Sequence, residues 1–231
     1  MTSNFLGNPR AAYNSSDLIS TNALTTREGF VPQKGMNFRD DRFQIAILLV
    51  LPSHAGKYAD EWYASEEKYV YEGHDSLTKE SGEGTGGDQL SMYADGRLTD
   101  NGKFYAAAKS YIDGSRHEAL LVRVYEKIDP GVWFDKKIFE LVDAHQVLKE
   151  GRAVFKFDLK PLANILDPDF TERMLSASTK VETWLRDQGH CYQCKSENGL
   201  RFKTVPDSET TNRHLICESH RGESSERGLL G

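Results

Sequence analysis

An α+β fold is predicted: a curled β-sheet or barrel with flanking helices, followed by a small cysteine-bearing module. Three features predict it. Residues 43–160 carry short apolar or β-branched runs separated by Gly, Pro and Asp turns, the pattern of many short strands with few helices. One amphipathic helical stripe follows them. All three cysteines then fall in the last fifth of the chain.

Taken in order, residues 1–40 are rich in Asn, Ser and Thr, lack sustained periodicity, and are expected to form a loosely ordered arm. Phe43–Leu51 is an apolar run ending at Pro52, which suits a buried strand better than a helix. Lys68–Glu72 alternates, carries two tyrosines, and reads as another strand. Ser76–Gly87 has loop composition. Asn101–Gly114 reads as a helix, with Phe104, Ala107, Ala108 and Tyr111 on one face and Gly114 ending it. Strands are expected at Ala119–Lys127, Lys136–Val142 and Ala153–Leu159, with turns at Asp129-Pro130-Gly131 and Glu150-Gly151. Asp169 is a candidate N-cap with Glu172 as its capping-box partner. Met174, Ala177, Val181, Trp184 and Leu185 then make one helical stripe to about Gln188, and Gly189 stops it. The expected organisation is an arm at 1–40, a β-rich domain at 41–162, and a linker helix with its module at 163–231.

The chain has 231 residues, 29 Lys+Arg against 35 Asp+Glu, and a net charge of −6. With 38% hydrophobic and 10% aromatic residues it has material for a core, which excludes wholesale disorder. Its longest apolar run, Ile45–Leu51, is far short of the roughly 20 residues of a membrane helix. The polar Met1-Thr2-Ser3-Asn4 start does not resemble a secretory signal, so a soluble cytoplasmic protein without a membrane partner is expected. The acidic balance argues against coating nucleic acid by bulk charge, but leaves room for a local basic groove.

Three cysteines make a poor disulfide framework in a reducing compartment. With His220 they spell Cys191-x-x-Cys194, 22 intervening residues, then Cys217-x-x-His220. Two tight knuckles of that kind present four soft or borderline ligands to one tetrahedral zinc. His190 and His214 compete as fourth ligand, and the spacing favours His220. Four protein ligands leave no position for water, so the zinc is expected to be structural and to fold a module too small to bury enough apolar surface alone.

From Gly56-Lys57-Tyr58-Ala59-Asp60-Glu61-Trp62 and Tyr69-Val70-Tyr71-Glu72-Gly73-His74-Asp75 onward, the sequence resembles an SRA-type (YDG) domain of McrA-like, modification-dependent restriction endonucleases. The similarity continues through Gly87-Asp88-Gln89, Asp100-Asn101-Gly102-Lys103-Phe104 and Val122–Lys127, and closes at Pro130–Trp133, Phe139–Ala144 and Val154–Phe157. The resemblance implies a curved β-barrel that flips a modified cytosine out of duplex DNA and holds it in a pocket. Tyr71, placed like the family's Tyr-Thr-Gly tyrosine, would stack on the base. Tyr58 or Trp62 would supply the opposite wall, and Asp60 would accept from cytosine N4. Glu72 and Gly73, the next pocket candidates, stand where many relatives have Thr-Gly, which leaves the preferred modification open. Lys103, Arg123 and Lys127 are candidate phosphate contacts, as alternatives to a solvated strand face. His74 and Asp75 lack a third partner for metal or acid–base work.

The end of the chain is similar to a treble-clef-like HNH nuclease module at Arg186–Cys194 and Leu215–His220. Active relatives carry an Asp-His pair on the intervening hairpin, where this chain has Lys203 and Thr204, and an Asn after the final zinc ligand, where it has Arg221. Lysine does not readily ligate Mg²⁺, and threonine has no pKa suited to general-base work. A degenerate scaffold is therefore expected, with Arg201, Lys203, Arg213 and Arg221 available to phosphates. The function expected is a reader of 5-methyl- or 5-hydroxymethylcytosine in double-stranded DNA, related to restriction systems. One rival is an active endonuclease using Mg²⁺ or Mn²⁺ with Asn212 and His214. The other is a zinc-stabilised specificity subunit, as a homodimer or with a nuclease partner.

Overall fold

The computed structural model describes residues 17–39, 45–51, 60–75, 87–162, 170–206 and 211–220. The chain is a mixed α+β structure that divides into two compact units. One comprises Glu28–Glu126 and Lys136–Leu166; the other takes its described residues from Met1–Arg27, Lys127–Asp135 and Asp167–Gly231.

The elements are β1 (Leu18–Ser20), α1 (Thr21–Glu28), β2 (Gly35–Asn37), β3 (Ala46–Val50), β4 (Glu61–Tyr63), β5 (Lys68–Glu72) and α2 (Asp100–Ile112). There follow β6 (Leu120–Asp129), β7 (Val132–Lys149), β8 (Arg152–Pro161), α3 (Phe170–Arg173), α4 (Ala177–Asp187), β9 (Arg201–Pro206) and β10 (Thr211–Ile216). The large sheet runs β2-β3-β6-β7-β8-β5-β4, with β1 added against β7. β3 pairs parallel with β6, whereas β5, β7 and β8 form antiparallel ladders. Every residue of β3 is buried, as its unbroken apolar run demands.

Period-2 alternation sorts β8 into two faces. Phe155, Phe157 and Leu159 are buried on one of them, with Tyr69 and Tyr71 of β5 alongside. α2 covers this face: Phe104 meets Phe157 edge-on at 5.9 Å, and Tyr105 meets Phe155 at 5.4 Å. The helix starts where Thr99 accepts the Gly102 amide at 3.0 Å. The opposite face of β8 carries Arg152, Lys156 and Asp158, and the candidate site is built around it.

Three expectations need correction. Much of the supposed N-terminal arm is built: β1 pairs Leu18–Ser20 with Val132–Phe134, and Leu24 of α1 is buried. Its partner lies over a hundred residues away, so local composition could not show it. β7 extends well past the expected Lys136–Val142, because it continues to pair with β8 through a register shift between Leu141 and Asp143. The single helix expected through Gln188 is two, because Ser176 caps α4 by accepting the Thr179 amide at 3.1 Å. Lys180 spans the break, donating to the Arg173 carbonyl at 2.7 Å. Asp169, Arg221 and most of Ser76–Gly87 lie outside the described residues. Among the described residues, no helix is long and apolar enough to cross a membrane.

Phe157→Ala removes a ring with 1% exposure that touches Tyr71, Phe104 and Phe155. It is expected to cost about 3–5 kcal/mol in equilibrium denaturant unfolding, and an unchanged midpoint would contradict this packing.

Candidate functional site

The segment Tyr71–Asp75 leaves β5 and is held by two buried amide side chains. Gln89 donates to the Gly73 carbonyl at 2.6 Å and accepts the Phe155 amide at 2.8 Å. Asn101, in the first turn of α2, accepts the His74 amide at 3.0 Å and donates to the His74 carbonyl at 2.7 Å. A Cβ on Gly73 would lie 2.6 Å from Asn101 Oδ1 and 2.7 Å from Gln89 Oε1, so the clamp closes only over glycine. Neither Gln89 nor Asn101 was assigned a role from sequence, although both stand inside the quoted motifs.

Asp60 meets this segment from the start of β4, its Oδ1 accepting the Glu72 amide at 2.8 Å. Burial pushes its carboxyl up from 3.8 to about 7, against the Glu72 amide and the Lys156 charge. Glu72, in turn, is fully buried among cations: Lys156 at 2.8 Å, Lys149 at 3.1 Å and Arg152 at 3.9 Å. Arg152 also reaches Asp75 at 2.6 Å, and the Glu126–Lys136 pair is buried at 2.5 Å. Glu72 is thus a structural anion of this network. Tyr71 is 2% exposed; its hydroxyl bonds His74, and its ring stacks on the imidazole at 6.0 Å. His74 thus engages Tyr71, whereas Asp75 engages Arg152 and accepts from Gln89 at 3.2 Å. Trp62 is half-buried opposite Tyr69, and Tyr58 lies outside the described residues.

The candidate phosphate contacts divide by exposure. Arg123 is held beside Glu28 at 3.8 Å with 11% side-chain exposure, and Arg201 is buried at 6%, so neither presents its guanidinium to solvent. Lys103 pairs with Asp100 at 2.8 Å yet stays 42% exposed. Lys127 lies over the Trp133 ring at 5.6 Å. Arg213 is exposed and Lys203 half-buried on the β9–β10 hairpin.

In the other unit, the two knuckles bring Cys191, Cys194, Cys217 and His220 together, with ligand atoms all within 4.8 Å of one another. Cys194 Sγ is 3.6 Å from Cys217 Sγ, and His220 Nδ1 is 3.2 Å from Cys217 and 3.9 Å from Cys191. A tetrahedron with Zn–S of about 2.3 Å has S···S edges near 3.8 Å, so the donors fit zinc in number, type and spacing. Burial raises the Cys191 thiol, but the amides of Cys194, Cys217 and Gln193 outweigh it and lower the group to about 6. The bond from His220 lowers Cys217 as well. The competing histidines are used elsewhere: His190 Nδ1 contacts the Gln188 carbonyl at 2.5 Å, and His214 faces Asp187 at 3.3 Å. Below the cluster, Ile128, Phe134, Leu200, Phe202 and Leu215 form the unit's core.

On the hairpin, His214 sits opposite Lys203, and Arg213 opposite Thr204. The His214 ring stacks on Tyr192 at 3.8 Å. Asp187 also accepts the Leu215 amide at 2.7 Å. Burial raises the Asp187 carboxyl, but Arg186, that amide and His214 together bring it below the usual range. These contacts fasten α4 to β10, and Asn212 pairs with Val205 one residue before the exposed Arg213.

No protein-family model and no curated protein matches the chain. Among solved structures it is similar to the SUVH5 SRA domain in complex with fully methylated CG DNA, at 17% identity and a TM-score of 0.43, covering 66% of this chain and 91% of that one. A similar match is the SUVH5 SRA domain bound to fully hydroxymethylated CG DNA, at 17% identity and a TM-score of 0.43, covering 63% and 86%. Arabidopsis thaliana SUVH6 in complex with SAM matches at 15% identity and a TM-score of 0.41, over 85% of this chain and 33% of that chain.

Two outcomes follow from this geometry. Cys194→Ser is expected to lower bound zinc by one ion per chain by elemental analysis, and a strong chelator should unfold the unit around Trp184, read by tryptophan fluorescence. Asp60 is raised in the folded state, so its contribution to stability is full below about pH 3.8 and is lost as pH rises through about 7. Asp60→Asn should therefore gain stability relative to the parent protein from about pH 4 to about pH 8 in denaturant titrations. A variant that loses stability relative to the parent over that range would reverse the assignment.

Proposed function

We propose that the protein reads modified cytosine, 5-methyl or 5-hydroxymethyl, in double-stranded DNA by flipping the base into a pocket beside the end of β5. The observation that carries this reading is the docking of Asp60 onto the Glu72 amide. It sets the Asp60 carboxyl, the candidate acceptor for cytosine N4, next to the residue that follows Tyr71. The ordered motif series from Gly56 to Phe157 supports the same assignment. A carboxyl raised to about 7 is suited to a cytosine edge, because its neutral form offers both an acceptor for the N4 amine and a donor for N3. Stacking on Tyr71 requires the His74 ring to move off the tyrosine, so base entry is coupled to a rearrangement of Gly73-His74. Flipping costs a few kcal/mol, which stacking and edge hydrogen bonds offset.

The C-terminal unit is proposed to be a degenerate HNH-type module whose zinc is structural. Its Lys203 and Arg213 are the hairpin cations left to meet phosphates, since Arg201 is buried. Arg123 leaves the proposed contact set for the same reason, while Lys103 and Lys127 remain in it.

Duplexes containing cytosine, 5-methylcytosine or 5-hydroxymethylcytosine at one position, titrated at one fixed salt concentration, test the proposal. At least one modified duplex should bind more tightly than the unmodified one, and Asp60→Ala should weaken that preference by about tenfold or more. Equal affinity for all three duplexes would sink it. Cleavage of modified DNA with Mg²⁺ or Mn²⁺, abolished by His214→Ala, would instead favour a nuclease.

A further inference from the structure

Asp143, His145 and Asp158 bring one ligand atom each to within 4.8 Å of one another. The β7–β8 ladder sets this up. Asp143 lies directly across from Asp158, just past the register shift, and His145 is two residues further along β7 on the same face. Asp158 is buried at 7% exposure, whereas the Asp143 side chain is 45% exposed, so the triangle has a buried base and an open rim.

The neighbouring cations do not fill it. Lys68 reaches Asp158 Oδ2 at 2.9 Å from β5, and Asp158 Oδ1 is buried without a hydrogen bond. Lys109 contacts Asp143 Oδ1 at a long 3.3 Å. Lys156, opposite His145, turns instead to Glu72 at 2.8 Å. A buried carboxylate oxygen without a partner is costly, and a bound cation is one group that satisfies it.

We propose that Asp143, His145 and Asp158 form a binding site for a divalent first-row transition ion, separate from the cysteine-rich zinc centre. Two carboxylates and one imidazole suit Mn²⁺, Fe²⁺ or Zn²⁺, and the imidazole disfavours Mg²⁺ and Ca²⁺. Lys68, Lys109 and the Ala144 amide, which donates to Asp143 at 2.7 Å, act as the outer shell that orients the carboxylates. Three protein ligands leave coordination positions for water or another oxygen donor at the exposed rim.

The test uses the full chain with its cysteine centre loaded with zinc, and Mn²⁺ as probe, followed by electron paramagnetic resonance. One Mn²⁺ should bind per chain, with coupling to a single nitrogen. His145→Ala should abolish that coupling and weaken binding by at least about tenfold, and Asp143→Asn, at an exposed position, should weaken it similarly with the circular dichroism spectrum unchanged. No bound Mn²⁺ at millimolar concentration, Mn²⁺ bound without nitrogen coupling, or unchanged affinity in both variants would each overturn the site.

Discussion

A carboxylate without solvent must be compensated, and Glu72 is such a group. With no exposed surface, it is held by Lys149 from the end of β7 and by Arg152 and Lys156 from β8. Breaking a buried pair of this kind from one side leaves an uncompensated charge, a far larger penalty than the loss of a surface ion pair. The end of β5 is therefore tied electrostatically to the β7–β8 hairpin. Arg152 extends the tie to Asp75, and Gln89 and Asn101 secure the backbone between them. The position of Asp60 depends on this anchoring, because its hydrogen-bond donor is the Glu72 amide itself.

The two units use different physics for comparable ends. The β-rich unit is packed on aromatic surface, with Phe104 of α2 set against Phe157 and Phe157 stacked on Phe155 of β8. The cysteine-bearing unit has a modest apolar core around Phe134, Phe202 and Leu215. Four donors converge there in two short knuckles, and a metal held by them would add the cross-link that a small core lacks. Its Asp187–His214 contact and the Tyr192 stack give the hairpin histidine a packing role.

The residues legible in advance were those whose meaning is local. Cys-x-x-Cys and Cys-x-x-His spacing named the four donors, and the structure gathers those four. Apolar runs located β3, β5, β6 and β8 to within a few residues, and the stripe at Phe104–Ala108 located α2. What escaped was set by partners distant in sequence. Glu72 read as a pocket candidate beside Tyr71 and not as a buried network anion, because Lys149 and Lys156 stand 77 and 84 positions away. Arg123 and Arg201 looked available to phosphates, since charge alone does not report burial. The N-terminal segment looked unstructured, since the strand that pairs with β1 begins at Val132.

The sequence by itself determined the α+β character, the four zinc-fitting donors and the order of motifs that marks the candidate base site, because periodicity and short ligand spacings act within a few residues. Tertiary structure alone decided which charged side chains are buried, that Gly73 must lack a Cβ, and that Asp143, His145 and Asp158 converge. Those depend on strand register, and register places side chains from remote parts of the chain within a few ångströms of one another.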